Sequence, residues 1–174
     1  PPANLLAINC FDALHCWAGG AGGVVRYTED GGSTPWQIRD LPAPGGGLIF
    51  RPWPDLFLAL FKIQPVLAQA LPDLYGVFFI NLTTGWVVGS GGAIYVTNDA
   101  GLTWNVQASP NGQNLNAIYM NNAGVGIAAG NGGTIIRTVD AGVLWSLVPN
   151  PGVAANLRSI FFSDSDHAWI AGDA

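Results

Sequence analysis

The sequence predicts an all-β fold, an incomplete β-propeller of about three and a half four-stranded blades interrupted by one apolar, helix-compatible insertion. Three observations carry that prediction. An aspartate-centred turn recurs as Thr97-Asn98-Asp99-Ala100-Gly101-Leu102-Thr103-Trp104, as Thr28-Glu29-Asp30-Gly31-Gly32-Ser33-Thr34-Pro35-Trp36 and as Thr138-Val139-Asp140-Ala141-Gly142-Val143-Leu144-Trp145. A longer unit of about 41 residues frames each turn. Charged residues make up only 10% of the chain against 49% hydrophobic, with 24 Gly and 7 Trp, a balance that suits sheets joined by tight turns and argues against disorder or a coiled coil.

The turn has a mechanical logic. The Asp carboxylate accepts hydrogen bonds from backbone N–H groups a few residues on, Gly supplies a left-handed position, and Trp leads out of the turn into a buried seam. The turn residues in this role are Thr28, Asp30, Gly32 and Trp36, then Thr97, Asp99, Gly101, Thr103 and Trp104, then Thr138, Asp140, Gly142 and Trp145.

Each unit opens on Asn4-Leu5, Asp73-Leu74, Asn114-Leu115 or Asn156-Leu157. A first strand follows, with apolar pairs Ile8 and Cys10, Val77 and Phe79, Ile118 and Met120, Ile160 and Phe162. Asp12, Asn81, Asn122 or Asp164 then turns the chain into a second strand carrying Trp17, Trp86, Ile127 or Trp169. That strand ends in small residues, as in Gly89-Ser90-Gly91-Gly92, before a third strand expected over Val24 to Tyr27, Ala93 to Val96 and Thr134 to Arg137. A fourth strand runs from the Trp of each aspartate turn. The expected division is blade one over 4–43, an insertion over 44–72, blade two over 73–113, blade three over 114–155 and a half blade over 156–174.

Three and a half blades do not close a ring, and an open array leaves unpaired edges. The chain is therefore expected to be part of a longer protein, or to have its edges covered by other protein subunits or copies of itself. It opens on Pro1-Pro2 without a signal-peptide pattern, so a leader is expected to have been removed or to lie outside the sequence.

The repeat does not account for the insertion. Gly45-Gly46-Gly47 leads into it, Asp55 is placed to cap a helix, and Pro65 would kink or end one. Two readings stand: a helix covering a blade face or open edge, and a docking element whose contact residues are Trp53, Leu56, Phe57, Leu60, Phe61 and Leu67. Lys62 is the one basic residue of its apolar stretch, which favours a protein partner and leaves membrane contact indirect. A net charge of -5 with six Lys plus Arg disfavours nucleic acid.

No catalytic, cofactor-binding or metal-ligating constellation emerges. Asp30, Asp99 and Asp140 fall one per unit and read as structural. Cys10 and Cys16 flank a hairpin turn centred on Ala13 and face each other across it, so a disulfide and two buried thiols are both open readings. His15 and His167 follow Asp12 and Asp164 by the same spacing, which favours a hydrogen bond within the hairpin. Asn81-Leu82-Thr83 fits an N-glycosylation sequon at a hairpin tip.

The aspartate turn resembles the Asp box of the bacterial neuraminidase repeat. The middle copy matches throughout, the first has an extra residue before Trp36, and the third has Leu144 where the motif has Thr. With Leu74 to Phe79, Gly85 to Gly92 and Thr97 to Trp104, the chain resembles the photosystem II stability/assembly-factor branch of Asp-box propellers. That resemblance implies a non-catalytic scaffold without a cofactor that binds subunits of a membrane complex during assembly. It also implies an extracytoplasmic place, in the thylakoid lumen, the periplasm or outside the cell. Sialidases and oligoxyloglucan hydrolases are built on similar repeats, so a fragment of an Asp-box glycoside hydrolase or sialidase, or a secreted carbohydrate-binding propeller, is the alternative. The acidic residues outside boxes and hairpin turns, Asp40, Asp55, Asp73 and Asp173, form no supported acid/base pair.

Overall fold

The computed structural model describes residues 4–42, 70–121, 124–149, 152, 154–164 and 167–173. The first sheet contains β1 (Leu5–Cys10), β2 (Cys16–Gly20), β3 (Val25–Thr28) and β4 (Gln37–Ile38), in that spatial order. The second contains β5 (Leu74–Phe79), β6 (Gly85–Gly89), β7 (Ile94–Thr97) and β8 (Asn105–Val106). The third contains β9 (Leu115–Met120), β10 (Gly126–Gly130), β11 (Ile135–Thr138) and β12 (Ser146–Leu147). A two-stranded sheet of β13 (Leu157–Phe162) and β14 (Ala168–Gly172) follows. All pairings are antiparallel, and the architecture is an incomplete β-propeller.

The third strands begin one residue later than the sequence suggested. The small residues before them form 3₁₀ turns over Ala21–Gly23, Ser90–Gly92 and Asn131–Gly133, and Ala93 and Thr134 still donate to Ser90 O and Asn131 O. Those N–H groups are committed to the turn, so pairing starts at the next residue.

The sheet that a side chain faces follows the two-residue period of the strands, and β2 and β6 are buried throughout. In β6, Val87 faces the first sheet, while Trp86 and Val88 face the third. The seam between the first and second sheets contains Trp17, Val25, Tyr27, Leu74, Val77, Phe79, Tyr95 and Trp104. Trp17 stacks on Phe79 with ring centroids 3.8 Å apart. The next seam contains Trp86, Val88, Ile94, Leu115, Ile118, Met120, Ile136 and Trp145.

Polar staples fix the angle between neighbouring sheets. The residue that opens a unit accepts, through its side chain, an N–H from the 3₁₀ turn of the sheet before it: Gly22 donates to Asp73 Oδ1, Gly91 to Asn114 Oδ1 and Gly132 to Asn156 Oδ1, at 2.9, 2.9 and 3.3 Å. On the rim, Trp104 Nε1 donates to Arg39 O and Trp145 Nε1 to Gln107 Oε1, each at 3.0 Å. Trp17 Nε1 donates to Ala100 O at 3.3 Å, but Gln107 Nε2 takes the equivalent carbonyl of Ala141. The indole N–H of Trp86 is accordingly buried without a partner among the described residues.

Leu5 and Leu115 occupy the same repeat position, one 51% exposed and the other fully buried. Leu115→Ala should therefore cost about 2–5 kcal/mol, and Leu5→Ala should stay within about 0.5 kcal/mol. Urea unfolding of both variants checks this, and equal losses would mean that burial between sheets is not the source of the difference.

Candidate functional site

The Asp-box turns are closed hydrogen-bond circuits. Thr97 Oγ1 donates to Asp99 Oδ1 at 2.8 Å and accepts the Gly101 N–H at 2.8 Å. Asp99 also accepts the Thr103 N–H at 2.8 Å and, on its other oxygen, the Thr103 hydroxyl at 2.6 Å. Thr28 and Asp30 bind Gly32 and Thr34 in the same way, and Thr138 and Asp140 bind Gly142 and Leu144. Thr28, Thr97 and Thr138 are buried beneath their turns.

The left-handed Gly anticipated in each box is preceded by a second left-handed residue. Ala100 and Gly101 have φ of 61° and 86°, Ala141 and Gly142 have 62° and 85°, and Gly31 and Gly32 have 66° and 83°. Alanine accepts this conformation because its N–H reaches the neighbouring hairpin, Ala100 N to Thr83 O and Ala141 N to Gly124 O, both at 2.9 Å.

These bonds explain the acidity of the box carboxylates. The Thr103 hydroxyl, followed by its N–H, holds Asp99 below the usual carboxylate range. The Thr34 and Thr28 hydroxyls do so for Asp30, and the Leu144 N–H and Thr138 hydroxyl for Asp140. The three carboxylates stand one per sheet and do not converge. Trp104 and Trp145 are buried in the seams, whereas Trp36, on the face of the first sheet away from the second, is half-buried beside Leu5, Leu6, Ala7, Ile8 and Ala18.

At the hairpin tips, Asp12 Oδ1 accepts the N–H groups of Leu14 and His15, and His15 Nδ1 lies 2.8 Å from it. Asp164 holds His167 in the same arrangement. Asn81 Oδ1 accepts from Thr83 N and Thr84 N. Cys10 and Cys16, directly paired in the ladder, are joined by a disulfide. Trp53, Leu56, Phe57, Leu60, Phe61 and Leu67 lie outside the described residues. Among the described residues, no group of His, Cys, Asp and Glu is placed to hold a metal ion, and no helix is long and apolar enough to cross a membrane.

A further site lies where the first strands come together. Strands β1, β5, β9 and β13 pack side by side, and each carries a bulge two residues after its opening Asn or Asp. The extra residue is Leu6, Tyr75, Asn116 or Arg158, and all four line one opening of about 440 Å³ together with Asn114, Asn131 and Asn156. A bulge re-aims a side chain out of the ladder's alternation. Small residues make room for it: a Cβ on Gly89 would lie 2.0 Å from Asp73 O and one on Gly130 1.8 Å from Asn114 O.

The opening is rich in side-chain amides. Asn116 Nδ2 donates to Asn131 Oδ1 at 2.9 Å and to Leu157 O at 2.8 Å, which ties the third sheet to β13. Arg158 binds Asp173 through Nε and Nη2 at 3.0 and 2.8 Å. Sequence reasoning passed over these residues because they break the repeat. The available signal was that same break: Leu recurs at position 5, 74, 115 and 157, and the next residue differs every time.

The family model described as Photosynthesis system II assembly factor YCF48 matches residues 63–151, just over half of the chain. Among solved structures, the chain is similar to YCF48 bound to a D1 peptide, with 23% identity and a TM-score of 0.64 over 91% of this chain and 44% of that one. It is also similar to YCF48 from Cyanidioschyzon merolae, with 18% identity and a TM-score of 0.48 over 97% of this chain and 64% of that one. An ancestral GH74 enzyme shares 10% identity and a TM-score of 0.54 over 85% of this chain and 19% of its own. The chain thus spans less than half the length of the first structure and less than two thirds of the second. No curated protein matches the sequence significantly.

Two outcomes follow from the box geometry. Leu144→Thr restores a hydroxyl beside Asp140 and should raise the melting temperature by roughly 1–3 °C; calorimetry showing no rise would remove the hydroxyl from the account. The box carboxylates have folded pKa values below their unfolded ones, so their contribution is complete above the unfolded pKa and is lost as pH falls through the folded one. Stability should be flat from neutrality to about pH 5 and fall below about pH 4, with a shallower fall for Asp99→Asn in acid titrations followed by circular dichroism.

Proposed function

This chain belongs to the photosynthesis system II assembly factor YCF48 family, and on that premise we propose that it is a non-catalytic scaffold that recognises polypeptide subunits of a membrane complex during assembly. The family match across the second and third sheets carries this reading. The chemistry of the described residues supports it. The Asp-box carboxylates are consumed by their own turns, and the hairpin carboxylates of Asp12 and Asp164 by backbone N–H and imidazole groups. Arg26 is tied to Asp40 and Arg158 to Asp173.

The partner we propose is a D1-type polypeptide, the ligand of the YCF48 structure to which this chain is similar. Leu5, Ile8 and Trp169 are 51, 65 and 68% exposed where Leu115, Val77 and Trp86 hold the same positions buried between sheets, which makes these faces suited to cover by other subunits or copies of the chain. The Cys10–Cys16 disulfide favours an oxidising, extracytoplasmic compartment such as the thylakoid lumen or periplasm. The GH74 likeness supports a shared fold and no shared activity.

The test is calorimetric titration of the purified chain with a synthetic D1 peptide, alongside an assay for hydrolysis of a β-linked glucan. Saturable binding of D1 and no hydrolysis are expected. Hydrolysis abolished by replacing one carboxylate would overturn the non-catalytic reading, and an absence of D1 binding would overturn the proposed partner.

A further inference from the structure

We propose that the opening lined by the four bulge residues is a binding site for an extended polypeptide backbone, in which Asn116 Oδ1 and Asn131 Nδ2 pair with the N–H and C=O of the ligand's peptide groups. This deepens the scaffold reading and rests on it. Three features of the site carry the inference.

The first is the unspent half of the amide chain. Asn116 uses its Nδ2 on Asn131 Oδ1 and Leu157 O, which fixes both side chains and leaves Asn116 Oδ1 as an acceptor and Asn131 Nδ2 as a donor without a partner among the described residues. A side-chain amide presents the same donor and acceptor chemistry as a peptide group, so such a pair matches a backbone whatever its side chains. Asn114 repeats the pattern, accepting from Gly91 through Oδ1 and keeping its Nδ2.

The second is composition. Carbohydrate hydroxyls are strong donors best met by carboxylates, and among the described residues no Asp or Glu lines the opening. The lining is Leu6 from the first sheet, Tyr75 from the second, Asn114, Asn116 and Asn131 from the third, and Asn156 and Arg158 at the start of β13. Arg158 gives Nε and Nη2 to Asp173, which leaves Nη1 for a ligand carbonyl. Neutral amides beside an aliphatic and an aromatic surface suit a peptide chain better than a charged ligand.

The third is position. The opening falls at equivalent bulges of the first strands of four successive sheets, so it is built by those strands and the 3₁₀ turn that carries Asn131, and not by the rim turns. Its volume of about 440 Å³ lies within the usual range of ligand sites.

The test uses assigned amide NMR spectra of the intact chain titrated with acetyl-tetraalanine amide, which offers backbone groups and methyl side chains only. Its fully N-methylated counterpart and maltotriose are titrated in parallel. At up to about 10 mM peptide, above the millimolar dissociation constant expected of so small a ligand, shifts should localise to Tyr75, Asn116, Asn131 and Arg158. The N-methylated peptide should produce none. Asn131→Ala keeps its turn, since Ala21 holds the equivalent place in the first sheet, and should weaken binding about fivefold or more. Equal response to the N-methylated peptide, unchanged binding by Asn131→Ala, stronger shifts with maltotriose, or no localised shift would each overturn the site. Loss of D1 binding with retained tetraalanine binding would instead place the error in the proposed partner.

Discussion

The constraint on which this structure depends is that each four-stranded sheet is apolar on both faces. A lone sheet of this kind would expose Val87 and Tyr95 on one side and Trp86 and Val88 on the other, and those groups reach 0–7% exposure only because sheets flank both faces. The repeat thus describes seams as much as blades. Trp17 is set by its own strand yet stacks on Phe79 of the next sheet, and Trp104 leaves its own turn to donate to Arg39 of the sheet before. Stability of this sort resides in nearest-neighbour interfaces.

That constraint decides what the polar residues are free to do. Every Asp-box carboxylate closes a rim turn by accepting the backbone N–H four residues on, and its low proton affinity is a by-product of that bond and of the hydroxyls beside it. Chemistry is left to positions outside the two-residue alternation. The bulges supply four such positions around the inner opening. Leu6, Tyr75, Asn116 and Arg158 differ from one another because the seams make no demand on them, whereas the Leu before each bulge is tied to a seam wherever a sheet lies against it. The variable residues are thus one aliphatic side chain, one phenol, one amide and one cation, and the fixed residues hold that set in place.

The fold was legible in the sequence because its determinants are local and repeated. Asp99, Gly101 and Trp104 announce the turn in eight residues, and the recurrence of Leu74, Leu115 and Leu157 gives the period directly. The second left-handed residue was not legible, because Ala100 is conformationally ordinary until Thr83 O binds its N–H from another hairpin. Nor was the unpaired indole of Trp86, which depends on Gln107 reaching Ala141 O first. The inner opening escaped for a related reason. A motif search reads what recurs, while a binding surface on a repeat consists of what does not, and the one-residue bulge that gathers Tyr75 with Asn116 appears only in the strand register.

The Cys10–Cys16 bridge shows how the frame is altered on a face that no other described sheet covers. In the second sheet the equivalent pair is Phe79 over Gly85, where an added Cβ would meet the ring at 2.5 Å, and in the third it is Met120 over Gly126, at 2.1 Å. Phe79 rewards that position because Trp17 and Trp104 enclose it. The same position in the first sheet lies on the face away from the second sheet, beside the exposed Ile8, where a phenyl ring would meet solvent among the described residues. A disulfide stabilises the hairpin by constraining the unfolded chain, and so works without a neighbour on the other side. Among the described residues the first hairpin is held by a covalent tie, while the second and third are held by the burial of Phe79 and Met120 against their neighbours.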